Sequence, residues 1–222
     1  MNLLNKLLNK KLYFISPHLD DAIFSCGALI YTLRKLSDVN LITVFTGYND
    51  YLTNKEGLNF LKKTGFKNFK DLYQQRIRED INVCNFLKIK FYHLGFKEFI
   101  FQRKKTDIYL KDTLLQEKIN KEIEKIIGEN VDYCIFLPYG LGNIDHIFIR
   151  KNLEKKIKRK NIIYYLEWPY MIYNFKKINF SQTLDVEENL YIKEKLVNFY
   201  HSQINSIAKG GSILLIKERY VI

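Results

Sequence analysis

The chain has only three cysteines among its 222 residues, Cys26, Cys84 and Cys134. They are odd in number and widely spaced, each has an apolar neighbour, and no CxxC pair exists. That excludes a disulfide scaffold and a thiolate zinc site, and predicts three small buried side chains in a reducing compartment. Long apolar runs are also missing. No stretch approaches the ~20 residues of a membrane span, and Leu3 to Leu8 is too short and too polar for a signal-peptide core. The expectation is a cytoplasmic protein with no integral membrane association; the basic N-terminus, with Lys6, Lys10 and Lys11, is the place for any peripheral contact. No internal repeat and no low-complexity linker interrupts the chain, so residues 1–222 are expected to form one domain.

Acidic residues are outnumbered, 24 against 36 lysines and arginines, for a formal net charge of +12. The basic residues are spread along the chain, which reads first as a solvated surface. The functional reading is attraction to anions such as nucleotide-sugars or anionic glycans. No sequence-reading element accompanies the charge, so nucleic acid is not an expected partner.

What is present is an alternation of strands and helices. Lys11–Ser16 reads as a strand, Ala22 to Leu36 as a helix, Val39–Thr46 as a second strand, and Asp71 to Leu87 as a second helix. The small residues Cys26, Gly27 and Ala28 suit close contact of the first helix with the sheet. Phe91–Leu94, Val131–Leu137 and Asn161–Leu166 continue the strands. Ile108 to Ile127, ended by Gly128, and Ile144 to Lys158 supply helices, with Leu114 among the residues expected to face inward. Gly47 to Lys70, containing Tyr51, reads as a long lid or substrate loop. Gly95 to Thr106 is an aromatic and basic loop that includes Arg103. Phe175 to Leu184 reads as extended, Asn189 to Ile207 as one helix, and Ile213–Ile216 as an apolar run near the end. The order predicts an α/β protein: three layers, α/β/α, with a Rossmann-like, mostly parallel sheet.

Two strand ends carry the chemistry. After Lys11–Ser16 comes Ser16-Pro17-His18-Leu19-Asp20-Asp21, and after Val131–Leu137 comes Pro138-Tyr139-Gly140-Leu141-Gly142-Asn143, followed by Asp145 and His146. In open α/β sheets, the edge formed by the strand C-termini is where ligands bind. Two imidazoles and one carboxylate suffice for a zinc site with an open position, and a remaining carboxylate can then move a proton. Both Asp20 and Asp21 lie at a helix start, where unpaired amides favour the ionised form. The alternative is that Asp20, Asp21 and Asp145 merely cap helices and the histidines are surface residues. Of the other histidines, His93 reads as structural and His201 is assigned no role.

The pair Pro17-His18-Leu19-Asp20-Asp21 and Asn143-Ile144-Asp145-His146 resembles the LmbE-like or PIG-L family of zinc-dependent N-acetylglucosaminyl deacetylases. Ser16 to Ala22 followed by Ser25-Cys26-Gly27 is similar to a bacterial branch associated with glycan or antibiotic biosynthesis. Arg76 with Glu79, Trp168-Pro169-Tyr170 and Tyr200-His201-Ser202-Gln203 extend the resemblance to about residue 205. The resemblance implies His18, Asp21 and His146 as metal ligands, with zinc or another divalent ion such as Fe2+. It implies Asp20 as general base, and Asp145 as a residue that orients an imidazole or the attacking water. It also implies hydrolysis of the N-acetyl amide of an amino sugar, whether part of a glycan, a nucleotide-sugar or an antibiotic intermediate. The family's second motif usually begins with histidine, and this chain has Asn143, a neutral donor to the oxyanion. That departure keeps open a catalytically weak homologue that binds a glycan or a protein; an amidase acting on another sugar conjugate is also open. Arg76, Trp168 and Tyr170 are the candidate substrate contacts, with an Arg76–Glu79 ion pair and core packing of Trp168 as the plainer readings. A homo-oligomer is possible on sequence grounds.

Overall fold

The apolar runs become strands whose alternate residues enter two separate cores. In the first strand, Leu12 and Phe14 face one core while Tyr13 and Ile15 face the other. In the fourth, Cys134 and Phe136 join the first core and Ile135 and Leu137 the second. A sheet buried on both faces explains why these runs read as continuously apolar. The structure, a computed structural model, describes residues 6–51, 55–102, 104–129, 132–174, 178, 183–185, 189–207 and 217–222.

The strands are β1 Lys11–Ser16, β2 Asp38–Thr43, β3 Lys90–His93, β4 Tyr133–Pro138, β5 Ile162–Tyr165, β6 Thr183–Asp185 and β7 Arg219–Val221. The sheet runs β3-β2-β1-β4-β5-β7-β6. Its first five strands are parallel, and β7 pairs antiparallel with both β5 and β6. The helices are α1 Asp21–Leu33, α2 Lys55–Thr64, α3 Phe69–Leu87, α4 Thr106–Leu110, α5 Thr113–Ile127, α6 Ile144–Leu153, α7 Tyr170–Tyr173, α8 Leu190–Val197 and α9 His201–Ile207. Residues of α1, α3 and α8 fill one core and residues of α5 and α6 the other, giving the expected three layers. Chain order reverses between β1 and β4, so the crevice at their C-terminal ends is the topological switch point of the sheet.

Several expectations need correction. The stretch Gly47 to Lys70 contains a helix, α2, rather than an open loop. Leu61 and the half-buried Phe60 hold it in a third apolar cluster with Leu19, Phe69, Leu72, Tyr73 and Phe101. The helix expected over 108–127 is two helices, because the Asp112 carboxylate accepts the Leu115 amide and starts α5 afresh. Leu114 is consequently exposed. The helix expected over 189–207 also breaks, between α8 and α9. The Tyr200 hydroxyl is fixed on Asp80 Oδ1 (2.5 Å), and Glu79 accepts both the amide and the hydroxyl of Ser202 at the start of α9. The close approach at Gly27 is to α8, not the sheet: a Cβ there would stand 3.2 Å from Leu196 Cδ1. Ile213–Ile216 and Arg103 lie outside the described residues, as does most of Phe175 to Leu184. The three cysteines are free and buried, as composition predicted.

A buried carboxylate joins the last strand to the first helix. Glu218 accepts the amides of Ala28 (2.8 Å) and Leu29 (3.0 Å) and the Tyr220 hydroxyl (2.8 Å), and it stands 3.5 Å from Lys193 Nζ. Removing one member of a buried charged network leaves the others desolvated without their acceptor. Glu218→Ala should therefore cost about 3–5 kcal/mol in urea unfolding. The exposed Glu117→Ala should stay within about 0.5 kcal/mol of the parent.

Candidate active site

The loop from β1 into α1 is set by Ser16. Its hydroxyl donates to the His18 carbonyl (2.6 Å) and accepts the Ala22 amide (3.0 Å). Ser16 thus does the capping that either aspartate might have done, and Asp20 makes no side-chain cap at all. Asp21 points back into the crevice, where its Oδ2 accepts the His18 amide at 2.8 Å. On the β4 side, Asn143 caps α6 by accepting the Asp145 amide (2.8 Å), which places Asp145 and His146 in the first turn, over the same crevice.

Three donor atoms converge there. Asp21 Oδ2 lies 3.0 Å from His18 Nδ1 and 3.0 Å from His146 Nε2, and the two imidazole nitrogens are 3.3 Å apart. Tetrahedral zinc with bonds of about 2.0–2.1 Å has ligand-to-ligand edges of about 3.3 Å, so two nitrogens and one oxygen in this triangle fit a divalent metal such as zinc. Each imidazole is held from behind. His18 Nε2 meets Asp145 Oδ2 at 3.3 Å, and the other oxygen of Asp145 accepts from the Phe99 amide (3.0 Å) and the Tyr109 hydroxyl. His146 Nδ1 meets Glu167 Oε1 at 3.2 Å, and that oxygen also accepts the amides of Gly140 (2.6 Å) and Leu141 (3.1 Å). Such partners set the tautomer, leaving the inward nitrogens free to bind metal.

Burial by itself would lower the pKa of both histidines, yet both are raised. Glu98, Asp21 and Asp145 hold His18 well above the ordinary imidazole value. Asp21 and Glu167 bring His146 to about 9. Burial likewise would raise Asp21, but the two imidazoles hold it well below the usual carboxylate range. Asp20 behaves oppositely. Burial and the neighbouring Asp21 charge push it up to about 7, against the opposing pull of Arg76, His18 and His146. The helix-start effect expected for both aspartates is overridden at Asp20. Among the described residues its carboxylate has no hydrogen-bond partner, a state suited to exchanging a proton near neutral pH.

A cavity of about 270 Å³ opens over this centre, lined by His18, Asp20, Asp21, Asn143, Trp168 and Tyr170, and also by Phe60, Lys63, Arg76 and Glu98. Trp168 is a buried wall, its ring packed edge-on against Phe24 at 5.4 Å. Tyr170 packs edge-on against His146, and its hydroxyl oxygen accepts from Asn143 Nδ2 at 3.2 Å. Arg76 does not pair with Glu79, whose carboxylate is bound to Gln75 and Ser202. Tyr51 is exposed and His93 is bound to Asp80 at 2.8 Å; neither lines the cavity. Sequence reasoning missed Glu98, which accepts from the Tyr73 hydroxyl and stands 3.8 Å from His18, and Glu167. Both follow strand ends, the one signal that pointed to them.

The comparisons with known proteins agree with this geometry. Residues 13–155 match the family model described as PIG-L, GlcNAc-PI de-N-acetylase. No curated protein matches the chain. Among solved structures, a deacetylase–bog complex from the biosynthesis pathway of teicoplanin superposes with a TM-score of 0.79 at 20% identity, covering 96% of this chain and 97% of that one. The deacetylase of A40926 pseudoaglycone gives 0.68 at 19% over the same shares. The 4-carboxy-2-hydroxymuconate hydratase of Pseudomonas putida KT2440 gives 0.54 at 11%, over 95% and 94%. The fold is thus shared with a hydratase as well, and the reaction must be argued from the site.

Because the outer carboxylates orient the imidazoles, Glu167→Gln should weaken zinc binding about 10–100-fold in competition with a chelating dye. The raised imidazole pKa values add a second expectation. Zinc uptake at pH 7 should release protons, and affinity should climb as pH rises towards 9, because metal and proton compete for the same nitrogens. Calorimetry in buffers of different ionisation enthalpy measures that release.

Proposed function

Because the chain belongs to the PIG-L family of GlcNAc-PI de-N-acetylases, we propose that it hydrolyses the N-acetyl group of an amino sugar or its conjugate, yielding acetate and the free amine. The observation that carries this reading is the convergence of the His18–Asp21–His146 triangle and the unpartnered Asp20 on one cavity. His18, Asp21 and His146 hold the metal, which supplies Lewis acidity to the acetyl carbonyl and makes water more acidic when bound. Asp20 takes a proton from the attacking water and passes it to the amine nitrogen as the C–N bond breaks. Asp145 and Glu167 keep the two imidazoles in their tautomers.

Asn143, expected to donate to the oxyanion, acts through a neighbour in this reading. One of its amide hydrogens goes to the Tyr170 oxygen, so the phenol proton is directed elsewhere and can reach the carbonyl oxygen as charge develops there. Arg76 and the Trp168–Tyr170 wall contact the rest of the substrate. The three free cysteines favour a cytoplasmic setting.

Acetate release from a panel of N-acetylamino sugars, free and UDP-linked, tests the reading with metal-loaded protein. Asp20→Asn should keep its metal and lose about 10²–10⁴ in kcat. Tyr170→Phe should lose about 10²–10³. Full activity in Asp20→Asn would remove that residue as the base.

A further inference from the structure

Arg76 is a charged side chain in a position that ordinarily demands a partner. It is only 6% exposed, yet it makes no ion pair within 4.0 Å and no hydrogen bond among the described residues, and its Nε is fully buried. Its guanidinium carbon stands 5.3 Å from the Phe60 ring centroid. A desolvated guanidinium costs stability unless an anion neutralises it, and the one carboxylate that sequence spacing offered, Glu79, is committed to Ser202. The same cavity is lined by Lys63, an exposed residue from the last turn of α2 that also has no ion pair among the described residues. The cavity is thus lined by acidic, metal-binding residues, by the aromatic Trp168, Tyr170 and Tyr173, and by two cations, of which Arg76 is near enough to act on the Asp20 charge but neither has an ion pair within 4.0 Å among the described residues.

We infer that the substrate carries an anionic group, a phosphate or a carboxylate, which Arg76 and Lys63 bind while the acetamido group meets the metal centre. This rests on the deacetylase reading and narrows it to acidic amino sugars. A planar guanidinium matches either anion with two parallel hydrogen bonds, and the ammonium adds a point charge. The helix that carries Lys63 also carries Phe60, which packs on Arg76, so α2 builds this side of the cavity as a unit.

The test separates binding from catalysis. Calorimetry with the metal-loaded protein compares glucosamine, glucosamine 1-phosphate and muramic acid, while acetate release is followed from their N-acetyl forms. At least one anionic sugar should bind about 10–100-fold more tightly than the neutral one, and show a correspondingly lower KM. The phosphate and carboxylate arms identify which anion the site takes. Arg76→Gln should abolish the preference and Lys63→Gln reduce it, with little change for the neutral sugar in Lys63→Gln. Because Arg76 is unpaired, its replacement should leave the melting temperature unchanged or raised, which distinguishes a lost subsite from a misfolded chain. Equal affinity for all three sugars, or a preference that survives both substitutions, overturns the inference while leaving deacetylation intact. Preferential binding of an anionic sugar without acetate from any member sustains the anion subsite and overturns deacetylation of these sugars instead.

Discussion

One carboxylate oxygen, Oδ2 of Asp21, joins the two halves of this structure. It accepts the His18 amide from its own loop and stands 3.0 Å from imidazole nitrogens on both sides of the crevice. The chain order of the sheet reverses at that point, so β1 and β4 are neighbours in space although more than a hundred residues separate them. Parallel pairing of these strands puts both of their C-terminal loops on one edge. The metal triangle is the consequence.

Around that oxygen, the buried polar groups are arranged in tiers. Asp145 and Glu167 hold the far sides of the imidazoles, and backbone amides and the Tyr109 hydroxyl hold those carboxylates in turn. Each tier gives the next a fixed direction, as a metal centre requires if its ligands are to meet the ion without rearrangement. Asp20 and Arg76 stand apart from this order. Arg76 is buried and Asp20 half-buried, and neither has a side-chain hydrogen bond among the described residues. Both line the one cavity over the metal triangle, which marks them as groups that act on something else.

Much of this was legible before any coordinates. Strand runs with both faces apolar announced a sheet between two layers, and the short spacing His18–Asp21 announced a loop able to present both groups together. The edge was less legible. The antiparallel β7 is three residues long and gives no periodicity to read. Helix interruptions at Asp112 and around Tyr200 come from individual hydrogen bonds, which compete locally with helical periodicity and leave the apolar pattern unbroken. The helix Lys55–Thr64 was hidden because its apolar residues are few and it gains its stability from Leu19, Phe69 and Tyr73, distant or later in the chain.

The sequence by itself determined the donor set, because residue type decides what can bind a metal or carry a proton, and it determined the layered architecture, because the apolar period decides which faces are buried. Only the tertiary structure decided which aspartate is held ionised and which is pushed up to about 7, since that depends on the imidazoles and charges each one meets. It also decided that Glu98 and Glu167 belong to the centre and that Arg76 lacks the partner its spacing suggested. Those outcomes depend on distances between residues far apart in the chain, and neither composition nor periodicity contains them.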